Sequence, residues 1–207
     1  MHNIDQKDFM ESKFEKIEFK ENIESKRFLD CEFVKCSFTE IEIAKCQFTD
    51  CVFIECNLSL AKVTGSSFMN IAFDQSKVIG VNWASAKWPQ FKLDSPLSFY
   101  HSNISDSSFF ELSLSYLVLE SCQVRDVDFR SADLSHASLT YSDFQGSYFV
   151  NTNLTSADFT GSENYNIDVF ENTIKNAKFS LPEALSLLDH LGIKIVDLDK
   201  INIQGKK

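Results

Sequence analysis

Every fifth residue of this chain is apolar over almost its whole length. The series runs in steps of five from Phe28 to Leu93 and, after a slip of one residue, from Phe99 to Phe179, with Asn164 as its only polar member. Side chains repeat about every 3.6 residues in an α-helix and about every 2 in a strand, so a period of five fits neither. A fixed internal repeat is typical of a solenoid, in which stacked units share one continuous core.

Each unit of five residues has a regular composition around this apolar residue, which we call the centre. The residue two places before the centre is small or apolar, the next one is mostly polar, and the one after the centre is often Ser or Thr. The clearest copies are Ala132-Asp133-Leu134-Ser135 and Ala157-Asp158-Phe159-Thr160-Gly161. This composition predicts that the centre and the residue two places before it face a core, while the other three face water. Of the 20 Phe residues, 17 are centres, which predicts a core of stacked rings.

These units resemble the pentapeptide-repeat family, whose signature is A(D/N)LXX with Phe or Leu in the middle. The resemblance covers about residues 4–179. It implies an all-β solenoid, a right-handed quadrilateral β-helix in which four units form one coil and each unit forms one face. Coils stacked about 4.8 Å apart, like neighbouring strands, would make a rod of roughly nine coils and about 40 Å.

All six cysteines lie two places before a centre, where the family has a small residue. Two interpretations are open: packing in the core, and a metal or redox site formed by the cluster Cys31, Cys36, Cys46, Cys51 and Cys56. Spacings of five or ten match no zinc motif of the CxxC kind, which favours packing. With four units per coil, we expect Cys31 over Cys51 and Cys36 over Cys56 as reduced thiols. We expect no metal and no cofactor.

The sequence contains no motif of a known enzyme class. It has no GxSxG, P-loop, GxGxxG or HExxH pattern, and its four histidines pair with no nucleophile at a fixed offset. The start of the chain lacks the apolar segment of a secretory signal, and no apolar run approaches the length of a membrane span. These observations predict a non-enzymatic, cytoplasmic protein that contacts no membrane.

The repeat changes register at two places. Between Phe19 and Ile23, at 20–23, the step is one residue short, and between Leu93 and Phe99 it is one residue long. The second slip, at 94–98, contains Pro96, which cannot donate to a strand ladder. It is either a bulge at one corner or a protrusion that meets a partner, and the absence of a long loop favours the bulge.

The sequence changes character after residue 179. Ser180 and Glu183 predict a capped helix start, and Gly192 predicts the helix end. Apolar residues between them recur at helical spacing, which predicts a short C-terminal α-helix that caps the last coil or packs on a second subunit. Strand-like residues follow at 193–196. The predicted organisation is a repeat domain at 1–179, a helix and dimerisation segment at 180–196, and a polar tail at 197–207.

This ending is similar to that of pentapeptide-repeat proteins that interact with type II topoisomerases, among them the Qnr-type quinolone-resistance proteins and the microcin immunity protein. Those proteins dimerise through their C-terminal module. The resemblance implies a homodimer formed through Leu185, Leu188, Leu191, Ile193 and Ile195. Several Qnr-type proteins carry loops that interrupt the coils, whereas this sequence shows only single-residue slips. We therefore expect it to be similar to the loop-free members.

The net charge of −10 indicates the kind of partner. An acidic rod does not bind nucleic acid directly, because phosphate binding needs Lys and Arg. It could instead imitate a duplex, since a topoisomerase groove is basic. Residues 126–180 hold 8 acids and 3 bases, and the candidate partner surface there is Asp128, Asp133, Asp143, Asp158 and Asp168.

We therefore predict a DNA mimic that binds DNA gyrase or topoisomerase IV and modulates inhibition by a quinolone or a toxin. The alternative is a scaffold for another protein, with the same fold and no topoisomerase contact. Protection and inhibition of the topoisomerase are not distinguished by the sequence.

Overall fold

Short parallel strands stack on one another because the centres of successive coils point into a shared core. The computed structural model describes residues 6–88 and 96–196. It is a parallel β-solenoid of about eight turns, as predicted from the repeat. Four units make one turn, so a strand pairs with the strand 20 residues later, as Gln47 does with Ser67. In the first turn the offset is 19, as in Phe9 with Phe28, which confirms the short step between Phe19 and Ile23.

We number the faces of the solenoid I to IV by their first centres, Phe9, Phe14, Phe19 and Ile23. Face II is a continuous nine-stranded sheet of Lys13–Glu15, Glu32–Val34, Val52–Ile54, Ile71–Asp74, Leu97–Tyr100, Val118–Glu120, Ser138–Thr140, Asp158–Phe159 and Lys178–Phe179. Face I contains the strands Asp8–Met10, Arg27–Leu29, Gln47–Thr49 and Ser67–Met69, and face IV contains Ile23–Glu24 and Ile43–Ala44. Isolated bridges complete the pairing on faces I, III and IV.

Aromatic rings fill the core in columns. On face II the rings of Phe14, Phe33 and Phe53 stack nearly parallel, with centroids 4.8 and 4.6 Å apart. Rings of neighbouring faces meet edge-on, as do Phe28 and Phe33 at 5.4 Å. Both arrangements suit the quadrupole of an aromatic ring. The inward orientation predicted for the centres is confirmed by the burial of the described centres from Phe9 to Phe159, apart from the half-buried Trp88.

From Cys31 onward, the residue two places before most centres is also buried, and a hydroxyl there satisfies the backbone. Ser142, for example, accepts a hydrogen bond from the Cys122 N–H at 3.0 Å and donates to the Thr140 carbonyl at 3.0 Å. All six cysteines are free and buried at this position. The predicted stacking is confirmed for Cys36 and Cys56, since the Cys36 N–H lies 3.4 Å from the Cys56 Sγ.

The chain turns between faces at the last residue of each unit, which we call the corner. Corner residues have a left-handed backbone; φ is 60° at Asp106 and 55° at Asp126. Such a conformation costs a non-glycine residue about 1–2 kcal/mol. The ladder offsets this cost, because each corner N–H is paired with the next coil; the Asp126 N–H donates to the Gln145 carbonyl at 2.9 Å.

Bulky corner side chains lean over a glycine in the next coil. A Cβ added to Gly80 would meet the Leu60 side chain, one on Gly146 would meet Asp126, and one on Gly161 would meet the ring of Tyr141. In each pair the two residues are 20 positions apart, which is one turn of the solenoid.

The slip near residue 96 is larger than predicted. Phe73 pairs with Phe99, an offset of 26 instead of 20, so this turn contains 26 − 20 = 6 extra residues. The expectation of a single extra residue is therefore wrong, and so is the expected similarity to members without an interruption. The sequence hid the difference because an insertion of five leaves the period unchanged. Leu93 and residues 94 and 95 lie outside the described residues.

Trp83 and Trp88 both belong to this turn. Trp83 is fully buried and packs against Phe68, Phe73 and Phe99, as predicted for a core residue. Trp88 is half-buried, and its indole N–H donates to the Trp83 carbonyl at 2.9 Å.

Near the C-terminus the core shifts by one residue at Asn164, the polar member of the series. Asn164 is exposed, and Tyr165 takes its place in the core, followed by Ile167. Val169, which the series predicts to be a centre, is only half-buried. An amide cannot enter this apolar core without a partner, whereas the neighbouring ring packs on Phe159 and Phe179.

The C-terminal helix is present at Glu183–Leu191, but it is a 3₁₀ helix and not the predicted α-helix. A helix this short gains little from its own ladder, so its geometry follows the coil on which it packs. The sequence predicts that Ser180 caps the helix, but the N-cap position is occupied by Pro182. The Ser180 hydroxyl instead accepts a hydrogen bond from the Gly161 N–H at 2.9 Å. Gly192 ends the helix with φ of 65°, as predicted. The predicted strand-like segment at 193–196 forms no strand, because no neighbouring strand pairs with it.

Candidate partner-binding surfaces

The five aspartates of the predicted acidic surface do not lie together. Asp158 is on face II, Asp143 on face III, and Asp133 on face I. Asp128 and Asp168 are on face IV. They surround the rod instead of forming one stripe.

Each of these carboxylates accepts a hydrogen bond from the N–H two residues later. The distances are 3.1 Å from Asp128 to the Arg130 N–H, 3.1 Å from Asp133 to Ser135, 3.1 Å from Asp143 to Gln145, 2.9 Å from Asp158 to Thr160, and 2.8 Å from Asp168 to Phe170. This bond fixes the turn that leads to the corner. A sequence signal for this role exists, since Asn57, Asn103 and Asn153 occupy the same position and make the same bond without a charge.

Basic side chains neutralise most of these aspartates. Asp128 is paired with Arg130 at 2.7 Å, Asp143 with Arg125 at 2.6 Å, and Asp158 with Lys178 at 2.9 Å. The hydrogen bonds from Arg130 lower the pKa of Asp128. Burial alone would raise the pKa of Asp143 and Asp158, but hydrogen bonds from Asn164 and Arg125 in one case, and from Thr160 and Lys178 in the other, lower both. A charge that is already paired offers little to a basic partner.

Other carboxylates stand at corners and are exposed. Between faces I and II, Glu11, Asp30 and Asp50 form a column at three successive corners. Between faces III and IV, a second column contains Glu40, then the uncharged corners Leu60 and Gly80, and then Asp106 and Asp126. In the part of the chain that the structure describes, none of these six carboxylates has an ion-pair partner. The two columns run along opposite edges of a four-sided rod. Sequence reasoning missed them because the left-handed corner position is not visible in the repeat.

The C-terminal helix closes the last coil with one side and leaves the other side open. Leu187 packs against the core, and the His190 Nε2 lies 2.9 Å from the Asn166 Oδ1. Of the residues predicted to form a dimer, Leu188 is half-buried; the others are exposed: Leu185, Leu191, Ile193 and Ile195. Four of the five are thus exposed apolar side chains of the C-terminal segment 185–195.

The phenol of Tyr165 lies beneath this end. It is buried, and its hydroxyl has no hydrogen-bond partner among the described residues. Burial raises the pKa of Tyr165 to about 12, so the phenol stays neutral. We find no group of His, Cys, Asp and Glu side chains able to hold a metal ion within the described ranges. No helix in these ranges is long and apolar enough to cross a membrane.

Comparison with known proteins identifies the repeat. The model of the pentapeptide repeat region matches residues 26–95 and 84–159. No curated protein sequence matches the chain. Two solved structures of trypsin-treated variants of QnrB1, described as a plasmid-mediated fluoroquinolone resistance protein, are similar in fold. The first has 21% identity and a TM-score of 0.56, covering 92% of this chain and 99% of that one. The second has 21% identity and a TM-score of 0.54, covering 92% and 100%.

Proposed function

Since the chain belongs to the pentapeptide-repeat family, we propose that it is a non-enzymatic DNA mimic that binds a type II topoisomerase, DNA gyrase or topoisomerase IV. In this role it modulates the action of a quinolone or a toxin on the enzyme. The observation that carries the proposal is the pair of unneutralised carboxylate columns on opposite edges of the rod. The likeness to QnrB1 supports the shape of the molecule, and the fluoroquinolone resistance of that protein motivates the choice of partner.

The charge density supports a partial imitation of a duplex. Eight intervals of about 4.8 Å give a rod of about 40 Å. A formal net charge of −10 is then about one negative charge per 4 Å, against about one per 1.7 Å for DNA. Glu11, Asp30 and Asp50 repeat about every 4.8 Å, the spacing of the coils, and so do Asp106 and Asp126. A basic groove thus meets regular negative charge, although weaker than that of its usual ligand.

We also propose a homodimer formed through the uncovered C-terminal end. Two such ends in contact would bury Leu185, Leu191, Ile193 and Ile195 and make a rod about twice the monomer length. In that dimer the Glu11, Asp30 and Asp50 column of each copy lies near one tip of the double rod, and Asp106 and Asp126 lie nearer its centre. The double rod is long enough to span a groove that accepts duplex DNA.

A supercoiling assay with purified gyrase, with and without a quinolone, tests this function. The key variant neutralises one column: Glu11→Gln, Asp30→Asn and Asp50→Asn. The matched control is Asp128→Asn, Asp143→Asn and Asp158→Asn, which changes the net charge by the same three units but removes paired carboxylates. We expect the column variant to lose its effect on gyrase and the control to keep it. If both variants lose their effect on gyrase equally, the effect depends on net charge alone and not on the unpaired column.

The dimer is tested by sedimentation of the parent and of a Leu191→Asp, Ile193→Asp variant. Both residues are exposed in one copy, so the coils should fold normally in the variant. We expect a dimeric parent and a monomeric variant without effect on gyrase. A monomeric parent would contradict the dimer. A dimer that leaves gyrase untouched would favour the alternative, a scaffold for a different protein.

A further inference from the structure

Face IV carries a row of exposed aromatic side chains that the core does not need. Phe110, Tyr148 and Phe170 belong to different coils of this face, and 38%, 54% and 74% of their surfaces are exposed. Val150, also in the row, is half-buried. A duplex has no counterpart to such a row, so charge mimicry does not account for it.

Arg130 holds the row together. Its guanidinium carbon lies 5.7 Å from the ring centroid of Phe110 and 5.9 Å from that of Tyr148. Two hydrogen bonds to the Asp128 carboxylate, at 2.9 and 2.7 Å, fix its position. The stack Phe110–Arg130–Tyr148 is therefore ordered before any partner arrives, which reduces the entropy lost on binding. Arg and aromatic residues are also the types that dominate the binding energy of protein interfaces.

Carboxylates border the row on both sides. Asp106 and Asp126 stand at the corner with face III, and Glu111 stands at the corner with face I. Glu171 lies on the same side as Glu111, one turn after the corner residue Asn151, whose N–H donates to the Glu171 carbonyl at 2.9 Å. All four are exposed, and none has an ion-pair partner in the described part of the chain. Within the row, Asp128 is paired with Arg130, and Asp168 lies 3.4 Å from His190.

The apolar row and its acidic borders indicate which kind of partner can bind face IV. A second copy of face IV would bring four carboxylates against four others, which is repulsive, and nucleic acid would be repelled in the same way. A segment with apolar residues along one side and Lys or Arg on its flanks matches both the rings and the borders. Amphipathic helices bind apolar grooves in this way.

We propose that face IV between Phe110 and Phe170 is a docking surface for a basic amphipathic segment of a partner protein. Apolar side chains of that segment lie over the rings of Phe110, Tyr148 and Phe170, and its basic side chains reach Asp106, Asp126, Glu111 and Glu171. The proposal goes beyond the mimicry of DNA, because the row contributes apolar contacts that a duplex lacks. It does not depend on the partner being a topoisomerase.

A labelled synthetic peptide tests this surface. The probe is a helical peptide of about 14 residues containing only Leu and Lys in an amphipathic pattern, and the control peptide has Glu in place of Lys. Fluorescence anisotropy at physiological salt measures binding to the full chain. We expect saturable binding of the Lys peptide below about 100 μM and none of the Glu peptide. Equal binding of both peptides, or of neither, would overturn the proposal.

Matched variants locate the binding. Phe110→Ser with Phe170→Ser should weaken the Lys peptide about fivefold or more, whereas Tyr141→Ser, an exposed aromatic at another corner, should change it less than about twofold. Likewise Glu111→Gln with Asp126→Asn should weaken binding more than Asp30→Asn with Asp50→Asn, which removes the same charge from the opposite edge. Equal effects within either comparison would mean non-specific attraction to an acidic rod and would overturn the proposal.

Sedimentation of the Phe110→Ser, Phe170→Ser variant tests whether the partner that binds face IV is a second copy of this chain. We expect the variant to keep the oligomeric state of the parent. Dissociation of the variant would show that face IV binds another copy of the chain, and the proposed basic partner would then be wrong.

Discussion

The ring of Phe99 lies over the ring of Phe73, 26 residues earlier, with centroids 4.9 Å apart and planes 9° from parallel. After the first turn, and in turns without the insertion, this contact joins residues 20 apart, as in Phe53 and Phe73 at 4.9 Å. The core is thus continuous across the six extra residues. The insertion interrupts the chain without interrupting the stack.

Removal of the insertion should therefore be tolerated. Deletion of residues 91–96 joins Gln90 to Leu97 and restores the regular step of five from Trp88 to Phe99. Gln90 would then occupy a corner, a position where Gln75 already has φ of 49°. We expect cooperative unfolding and a melting temperature within a few degrees of the parent, as for loop changes that leave the core intact. A deletion of five residues, which leaves a step of six, is the control and should be less stable.

Truncation of a central ring should be costly. Phe144 is fully buried on face III and packs against Phe149 and Phe159, at 5.9 and 5.4 Å. We expect Phe144→Ala to lower the free energy of unfolding by about 3–5 kcal/mol, since the cavity cannot collapse. Tyr141→Ala, three residues away but exposed, should change it by less than about 0.5 kcal/mol. Denaturant titration measures both, and similar midpoints for the two variants would refute the inward assignment of the centres.

The paired aspartates should make stability depend on pH. The folded pKa of Asp128, Asp143 and Asp158 is lowered, so their contribution is present above the unfolded value of about 3.9 and is lost as the pH falls through the folded value. We expect the melting temperature of the parent to fall from about pH 5 downward. Asp143→Asn with Asp158→Asn keeps both turn bonds, as Asn103 and Asn153 do, and should flatten this fall. An unchanged slope would mean that these ion pairs contribute nothing to folding.

The thiols should be protected in the native protein. Burial raises the pKa of Cys51 to about 12 and that of Cys122 to about 11, so both stay protonated and unreactive. The hydrogen bond with the Cys56 thiol lowers the pKa of Cys36, but Cys36 is buried, so we expect its burial to keep the reagent away in the folded protein. Labelling with a thiol reagent should be slow in buffer and reach six groups in denaturant. Rapid native labelling, or stoichiometric binding of zinc, would contradict the packing role.

The period of five predicts the core well because burial repeats with the same period. It predicts Phe33, Leu134 and the six cysteines correctly for one reason, namely that each occupies an inward position of the unit. The period fails to predict the structure where an insertion preserves it, or where a neighbouring residue fits the core better than the expected centre. Five of the six extra residues before Phe99 leave the period of five unchanged and so cannot be detected from it. At Asn164 the adjacent Tyr165 occupies the core position instead.

The candidate surfaces were harder to predict than the core. Charge counting selects Asp143 and Asp158, yet both are engaged with a turn and a basic side chain. Asp30 and Asp126 have the same charge but stand at corners without an ion-pair partner in the described ranges. The difference comes from backbone geometry and long-range pairing, which a residue count does not contain.

Three corner side chains lean over the glycine one turn later: Leu60 over Gly80, Asp126 over Gly146, and Tyr141 over Gly161. This geometry has an evolutionary consequence. At these three pairs the inclined side chain occupies the space that a Cβ on the glycine would need, so we expect the two sites of each pair to change together. Among homologues, correlated substitutions should therefore concentrate at a separation of 20 positions, and shift to 26 across the insertion. Coupling at those two separations would map the turns of the solenoid from sequences alone.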